Sequence, residues 1–327
     1  MSTPILGPHH ALPSNNPKER FILQLFDQLW EKYRSRVSYV ESYKKLIEKS
    51  GTCFFNDHVA FRTFCSQNPL AGISSISRLF EALGYRAADC YDFDDKHLNA
   101  IYFQHPQPMF PKIFISELRT WQLKPASRHI IHAALKTHRT NLPESFLADI
   151  HHLETKSEPS RLSLLEEAVD FLHELPWNLP EKSDLIQLNM ESQYAAWVLV
   201  HGYNVNHFTS LINSHKVPEL DDIEKTSKAL SEAGVPMKKE IEGVKGSKLR
   251  QTATEAVVID VPVLEKGRLS SIPWTYAYFE LAQRDPYKDL QTGKMVRYEG
   301  FLGQQATQLF EMTKVESKSF KPEPTGV

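Results

Sequence analysis

Three short stretches of this chain each set a metal-capable side chain within an apolar run: FNDHVAFRTF around His58, YNVNHFTSL around His207 and TYAYFELAQR around Glu280. Two imidazoles and one carboxylate form the ligand set that holds non-haem Fe(II) by one face and leaves the opposite positions open for substrate and O2. A glutamate flanked by Tyr, Phe and Leu is expected to be buried, and a buried carboxylate needs a cation or hydrogen bonds. A divalent metal is one such partner; an ordinary buried ion pair is another. A histidine inside a strand is more often a satisfied core residue than a ligand. His9, His10, His151 and His152 lie in polar stretches and read as surface or capping residues.

Side chains two and four apart on a strand share a face, so His58, Ala60 and Arg62 point together, with Arg62 roughly 13 Å along at ~3.3 Å per residue. By the same alternation Glu280 shares a face with Tyr276, Tyr278 and Arg284, while Phe279 and Leu281 face helices behind. An arginine so placed is either a salt-bridge partner or a fixed cation in a cavity.

The elements that must position these residues follow a repeating order. Phe21, Ile22, Leu25, Phe26, Leu29, Trp30 and Tyr33 recur at helical spacing, after an Asn16 cap and a Pro17 first turn. A second helix is expected over 37–49. The order then becomes β-α-β-β-β: strand 54–64, helix 72–83, and strands 85–92, 97–104 and 112–118. Residues 119–200 read as a polar-faced helical insertion. The same order returns with strand 202–210, helix 218–233, and strands 235–241, 250–261 and 274–284. The expected division is a flexible start at 1–16 and one catalytic domain at 17–314. Within the domain, helices occupy 17–51, the first module 52–118, the insertion 119–200, and the second module with a closing helix 201–314. A disordered tail at 315–327 completes the chain.

Composition narrows the function classes. The chain has 327 residues, enough for a large core, with 41% hydrophobic and 24% charged residues and a net charge of -2. That balance gives no electrostatic reason to expect nucleic acid or anionic lipid as partners. Cys53, Cys65 and Cys90 make no CxxC pair and leave an odd thiol, which points to a reducing compartment. No apolar run approaches the ~18 residues of a membrane span. The start MSTPILGPHHALPSNNP has neither a basic n-region nor a hydrophobic h-region. The expected location is cytoplasmic, with a plastid or other organelle left open.

DHVAFRTF at 57–64, NVNHFT at 204–209, IEGVKGSKLRQTATEA at 241–256 and YFELAQR followed by GFLGQQATQLFEMT together resemble the 2-oxoadipate dioxygenase/decarboxylase family, over roughly residues 20–314. The last pair also resembles the C-terminal signature of 4-hydroxyphenylpyruvate dioxygenases, in which a strand glutamate binds iron and a segment opening Gly-Phe, here Gly300 and Phe301, closes the site. The resemblance implies an α+β fold of the vicinal oxygen chelate superfamily, with two βαβββ modules forming a cupped sheet around a metal site. It implies Fe(II) held by His58, His207 and Glu280. It implies that Arg62 takes a catalytic, substrate-binding part by holding a substrate carboxylate. The implied partners are a 2-oxo dicarboxylic acid and O2, and the implied reaction converts 2-oxoadipate to 2-hydroxyglutarate and CO2, a step of lysine catabolism. Gln251 is a further candidate substrate contact. Two other readings keep parts of this picture: a metal-dependent isomerase or lyase using its ion as a Lewis acid, or a non-catalytic metal-binding scaffold.

Overall fold

The structure is a computed structural model that describes residues 7–139 and 142–303. A short 3-10 turn at Pro8–Ala11 precedes helices α1 (Pro17–Arg34) and α2 (Tyr39–Lys49). The first module follows as β1 (Asn56–Phe64), the small hairpin of β2 (Ser66–Gln67) and β3 (Leu70–Ala71), α3 (Ile73–Ala82), β4 (Arg86–Phe93), β5 (Leu98–Gln104) and β6 (Lys112–Leu118). The insertion is helical, as expected: α4 (Pro125–Leu135), α5 (Glu144–His151), α6 (Glu158–Phe171), α7 (Lys182–Glu191) and α8 (Gln193–His201). The second module holds β7 (Val205–Leu211), α9 (Ile223–Glu232), β8 (Leu249–Ala253), β9 (Val258–Glu265), β10 (Arg268–Thr275) and β11 (Glu280–Arg284). A last hairpin pairs β12 (Pro286–Lys288) with β13 (Met295–Arg297).

Seven strands form one sheet in the order β4-β5-β6-β1-β7-β11-β8. Its centre is the antiparallel pair β1 and β7, flanked on each side by a parallel neighbour, β6 beside β1 and β11 beside β7. The two modules are therefore related by an approximate twofold axis running between β1 and β7. The axis carries each residue of β1 to one 149 positions on, so His58 maps to His207 and the pairing of His58 with Thr209 maps to that of Ala60 with His207.

The second module departs from the expected pattern. Residues 235–241, expected as a strand, contribute only an isolated bridge of Met237 with Thr254, and Glu242 beyond them bridges Gln251. The expected strand 250–261 breaks at Glu255–Val257, and β9 leaves the main sheet to pair with β10. Residues 276–279 of the expected strand 274–284 lie outside any strand. Backbone bonds to Thr254 and Val257 hold that stretch together with bonds from helices: Tyr33 Oη donates to the Tyr278 carbonyl and Trp197 Nε1 to that of Tyr276.

The expectation of a flexible start also needs correction for the part described. His9 is 1% exposed, and its Nδ1 and backbone N each lie 2.9 Å from Asp27 Oδ1. A buried carboxylate on α1 thus pins the turn, and the polar spelling of PHHA concealed it. The tail at 315–327, the closing residues 304–314 and residues 1–6 lie outside the described residues. Among the described residues no helix is long and apolar enough to cross a membrane.

One face of the sheet packs on α1 and α2. Trp30 stands edge-on to Phe208 with centroids 5.0 Å apart and also meets Tyr33, Phe54 and Phe279. Phe279 faces these helices, as alternation predicts. Trp30→Ala should destabilise the metal-free protein by about 3–5 kcal/mol in urea unfolding; a loss below about 1 kcal/mol would show that this cluster does not anchor the sheet.

Candidate metal centre

The register of three adjacent strands gathers the predicted ligands. Thr209 of β7 lies beside His58 of β1 on one side and Glu280 of β11 on the other, while His207 stands opposite Ala60. His58 Nε2 is 3.3 Å from His207 Nε2 and 3.4 Å from Glu280 Oε1, and His207 Nε2 is 3.6 Å from Glu280 Oε2. Two ligands at right angles on bonds of about 2.1 Å lie about 3 Å apart, so the spacing is close to what one ion requires. His58, His207 and Glu280 are 2%, 8% and 1% exposed. Among the described residues they are the group of three that could hold a metal ion.

Both imidazoles are oriented by the residue before them. Asp57 Oδ2 lies 2.8 Å from His58 Nδ1, and Asn206 Oδ1 lies 3.0 Å from His207 Nδ1. A carboxylate oxygen can only accept, and an amide oxygen likewise, so each Nδ1 carries the proton and each Nε2 presents its lone pair. Two lone pairs then face one another at 3.3 Å. A cation between them resolves that repulsion.

The charge states agree. Burial lowers the pKa of His58 and drives that of His207 well below its usual value, and it pushes Glu280 up to about 8. Although His58 and Glu280 are within ion-pair distance, burial holds both neutral, so the contact is not an ion pair without a metal. Gln251 Nε2 donates to Glu280 Oε1 at 2.6 Å and Thr209 Oγ1 donates to it at 3.3 Å. Gln251 therefore holds the acid, in addition to lining the pocket.

Behind the imidazole of His58 the charges are real. Asp57 receives Arg284 Nε at 2.6 Å and Nη2 at 2.8 Å. Burial would raise the Asp57 pKa, but Arg284, Lys112 and the His58 hydrogen bond together hold it well below the usual range.

The metal-capable group opens on a small, partly open pocket. Arg62 lies in its wall, buried against the rings of Tyr194 and Trp197 of α8 at 5.1 and 5.4 Å, and it hydrogen-bonds Tyr278. The helical insertion therefore supplies the bed for this cation. Phe93, Phe114 and Phe301 add an apolar side. Phe114 is paired with Ala60 as Glu280 is paired with Thr209, so under the twofold it is the apolar counterpart of Glu280.

Sequence reasoning placed Tyr278 on the face of Glu280, and it does line the pocket; Tyr276 instead meets Arg36 and His201. Sequence reasoning did not assign roles to Asp57, Thr209, Tyr194 and Trp197. The Asp-His and Asn-His dipeptides, each with a side-chain acceptor before the imidazole, were the available signal for the first.

Comparison with known proteins gives a consistent result. The sequence profile of the family described as 2-oxoadipate dioxygenase/decarboxylase matches residues 22–292. A rice protein, 2-oxoadipate dioxygenase/decarboxylase, chloroplastic/amyloplastic, of Oryza sativa subsp. japonica, is 29% identical over 94% of this chain and 82% of its own length. The crystal structure of a hydroxyglutarate synthase in complex with 2-oxoadipate from Oryza sativa aligns with a TM-score of 0.73 and 27% identity, covering 98% of this chain and 99% of that one. A putative glyoxalase superfamily protein from Ralstonia eutropha JMP134 shares the fold, with a TM-score of 0.77 at 19% identity and 92% of each chain covered.

The shifted groups predict a pH dependence. Glu280 ionises near 8 in the folded metal-free protein against an ordinary 4.5, so above about pH 7.5, where the histidines are essentially neutral in both states, folding holds a proton that unfolding releases. Thermal unfolding of metal-free protein should therefore shift down as pH rises from about 7.5 to 9, and metal binding near pH 7 should release protons into the buffer. A rising stability over that interval would contradict a buried, neutral Glu280.

Proposed function

The chain belongs to the 2-oxoadipate dioxygenase/decarboxylase family, and from that premise we propose that it converts 2-oxoadipate and O2 to 2-hydroxyglutarate and CO2 with Fe(II) held by His58, His207 and Glu280. The observation that carries this reading is the convergence of these three groups in one cavity that also holds Arg62. The rice structure of the same family contains 2-oxoadipate, which supports the substrate.

Fe(II), when bound to two imidazoles and one carboxylate, supplies open positions on one face for a 2-oxo acid and O2. The protein's own groups do the rest. Asp57 and Asn206 fix the tautomers so that both Nε2 atoms face the ion. Gln251 and Thr209 hold Glu280 Oε1, leaving Oε2 toward His207. Arg62 receives the distal carboxylate of the substrate; its guanidinium presents paired donors in a plane, which suits bidentate binding. The ring stack of Tyr194 and Trp197 keeps that plane from turning. Phe93, Phe114 and Phe301 exclude water from the reacting carbons.

The equation balances without a second co-substrate. C1 leaves as CO2, one atom of O2 completes the new carboxylate, and the other becomes the hydroxyl. The proposed partners are thus these small molecules, and a net charge of -2 gives no electrostatic reason to add nucleic acid or anionic lipid. Cys53, Cys65 and Cys90 are free thiols, in keeping with a reducing compartment, and the proposed compartment is the cytoplasm, with a plastid, named for the rice relative, as the alternative.

Two measurements test this. Protein loaded anaerobically with Fe(II) and given 2-oxoadipate should take up O2 and release CO2 in equal amounts; no uptake would remove the dioxygenase reading and leave the isomerase or lyase chemistry of this fold. Arg62→Ala should keep its iron but lose about 2–5 kcal/mol of transition-state binding, read as kcat/KM for 2-oxoadipate. It should lose little toward 2-oxohexanoate, which has no distal carboxylate. Loss of iron in that variant would contradict the role given to Arg62.

A further inference from the structure

Arg284 joins two parts of the molecule that the sequence leaves separate. Its side chain is fully buried, and two of its arms grip the carboxylate of Asp57, whose Oδ2 accepts from His58 Nδ1. The third arm, Nη1, donates to the carbonyls of Tyr298 at 3.0 Å and Gly300 at 2.6 Å. Those carbonyls belong to the segment that closes the pocket. Phe301 is 7% exposed, its ring lies 4.8 Å from the His58 ring and 4.9 Å from Phe114, and Arg284 Cζ stands 5.2 Å over it.

The segment is tied down at two more points around the same strand positions. Glu299 forms an ion pair with Lys112, the register partner of His58 on β6. The Phe301 N–H donates to Tyr91 Oη at 2.9 Å.

We propose that Arg284 is a positioning residue that couples closure of the pocket by residues 298–302 to the orientation of His58. A guanidinium is planar and its donors are fixed relative to one another, so one plane must satisfy the Asp57 carboxylate and both carbonyls at once. Withdrawing the segment removes both acceptors from Nη1 of a buried cation. The plane then shifts to satisfy its donors, and Asp57 and the imidazole shift with it. Coupling of this kind is reciprocal: an ion that draws His58 into line must also favour the seated segment. A salt bridge serving stability alone would hold Asp57 equally well whether the segment is seated or not.

The inference rests on His58 being a metal ligand, and its test separates the two claims. Hydrogen exchange would be followed on the full chain, in peptides covering 297–303, without metal and with Fe(II) under anaerobic conditions. In the wild type, loading should slow exchange of the Phe301 amide by at least about tenfold, because the closed state is favoured by linkage. Arg284→Lys keeps a cation for Asp57 but cannot reach the carboxylate and both carbonyls together. It should bind Fe(II) about 10- to 100-fold more weakly, and at saturating metal its 297–303 exchange should remain at the metal-free rate.

An unchanged wild-type exchange rate on loading would overturn the coupling, and so would an Arg284→Lys protein that keeps both affinity and protection. Should that variant fail to fold, the wild-type comparison decides alone. A wild type that binds no metal would remove the ligand reading, and this inference with it.

Discussion

The pairing of β1 with β7 is the constraint from which the site follows. The two strands run antiparallel at the centre of the sheet, with His58 beside Thr209 and Ala60 beside His207. Because side chains alternate, a slip of one residue would turn one imidazole to the helical face and leave the other alone. The twofold relation also explains the asymmetry of the pocket. Each module gives one histidine at the same place, but where the second module has Glu280 the first has Phe114. Both modules give a histidine to the pocket, and only the second adds a carboxylate.

Charge is arranged in two layers around the histidines. The inner layer of His58, His207 and Glu280 is held neutral by burial and is therefore primed for a dication, whose field reverses the preference of the carboxyl for its proton. The outer layer of Asp57, Arg284, Lys112 and Glu299 is charged and paired. Buried ion pairs recover little net stability against the cost of desolvating them. What they supply here is direction: a carboxylate that accepts from Nδ1 and cannot rotate, because a bidentate guanidinium holds it.

The insertion between the modules belongs to the site. Its last helix, α8, lays Tyr194 and Trp197 against Arg62, and Gly202 at φ +59 reverses the chain from that helix into β7. The helix that beds Arg62 and the strand that carries His207 are thus joined by the short turn Gly202–Asn204, whose first residue has a backbone conformation that favours glycine. Trp197 also donates to the carbonyl of Tyr276, which steadies the irregular approach to Glu280.

What the sequence determined by itself was local. The helical period from Phe21 to Tyr33, the Asn16 cap, the strands at 56–64, 98–104 and 112–118 and the helical character of the insertion were all legible, because periodicity and capping are set by neighbours a few residues apart. The residue types at His58, His207, Glu280 and Arg62 named the chemistry, and family resemblance gave them roles. The tertiary structure alone decided what depends on distant partners. Residues 235–241 look like a strand, but the sheet pairs β8 with β11 and leaves them one isolated bridge, of Met237 with Thr254. PHHA looks like a loose end, but Asp27, 18 residues on, buries His9. Arg284 reads as one more charge on the last strand, and its reach to Asp57 and Gly300 exists only once β1, β11 and the closing segment are brought together. Spacing along a chain sets which face a side chain takes; only long-range pairing sets what it meets there.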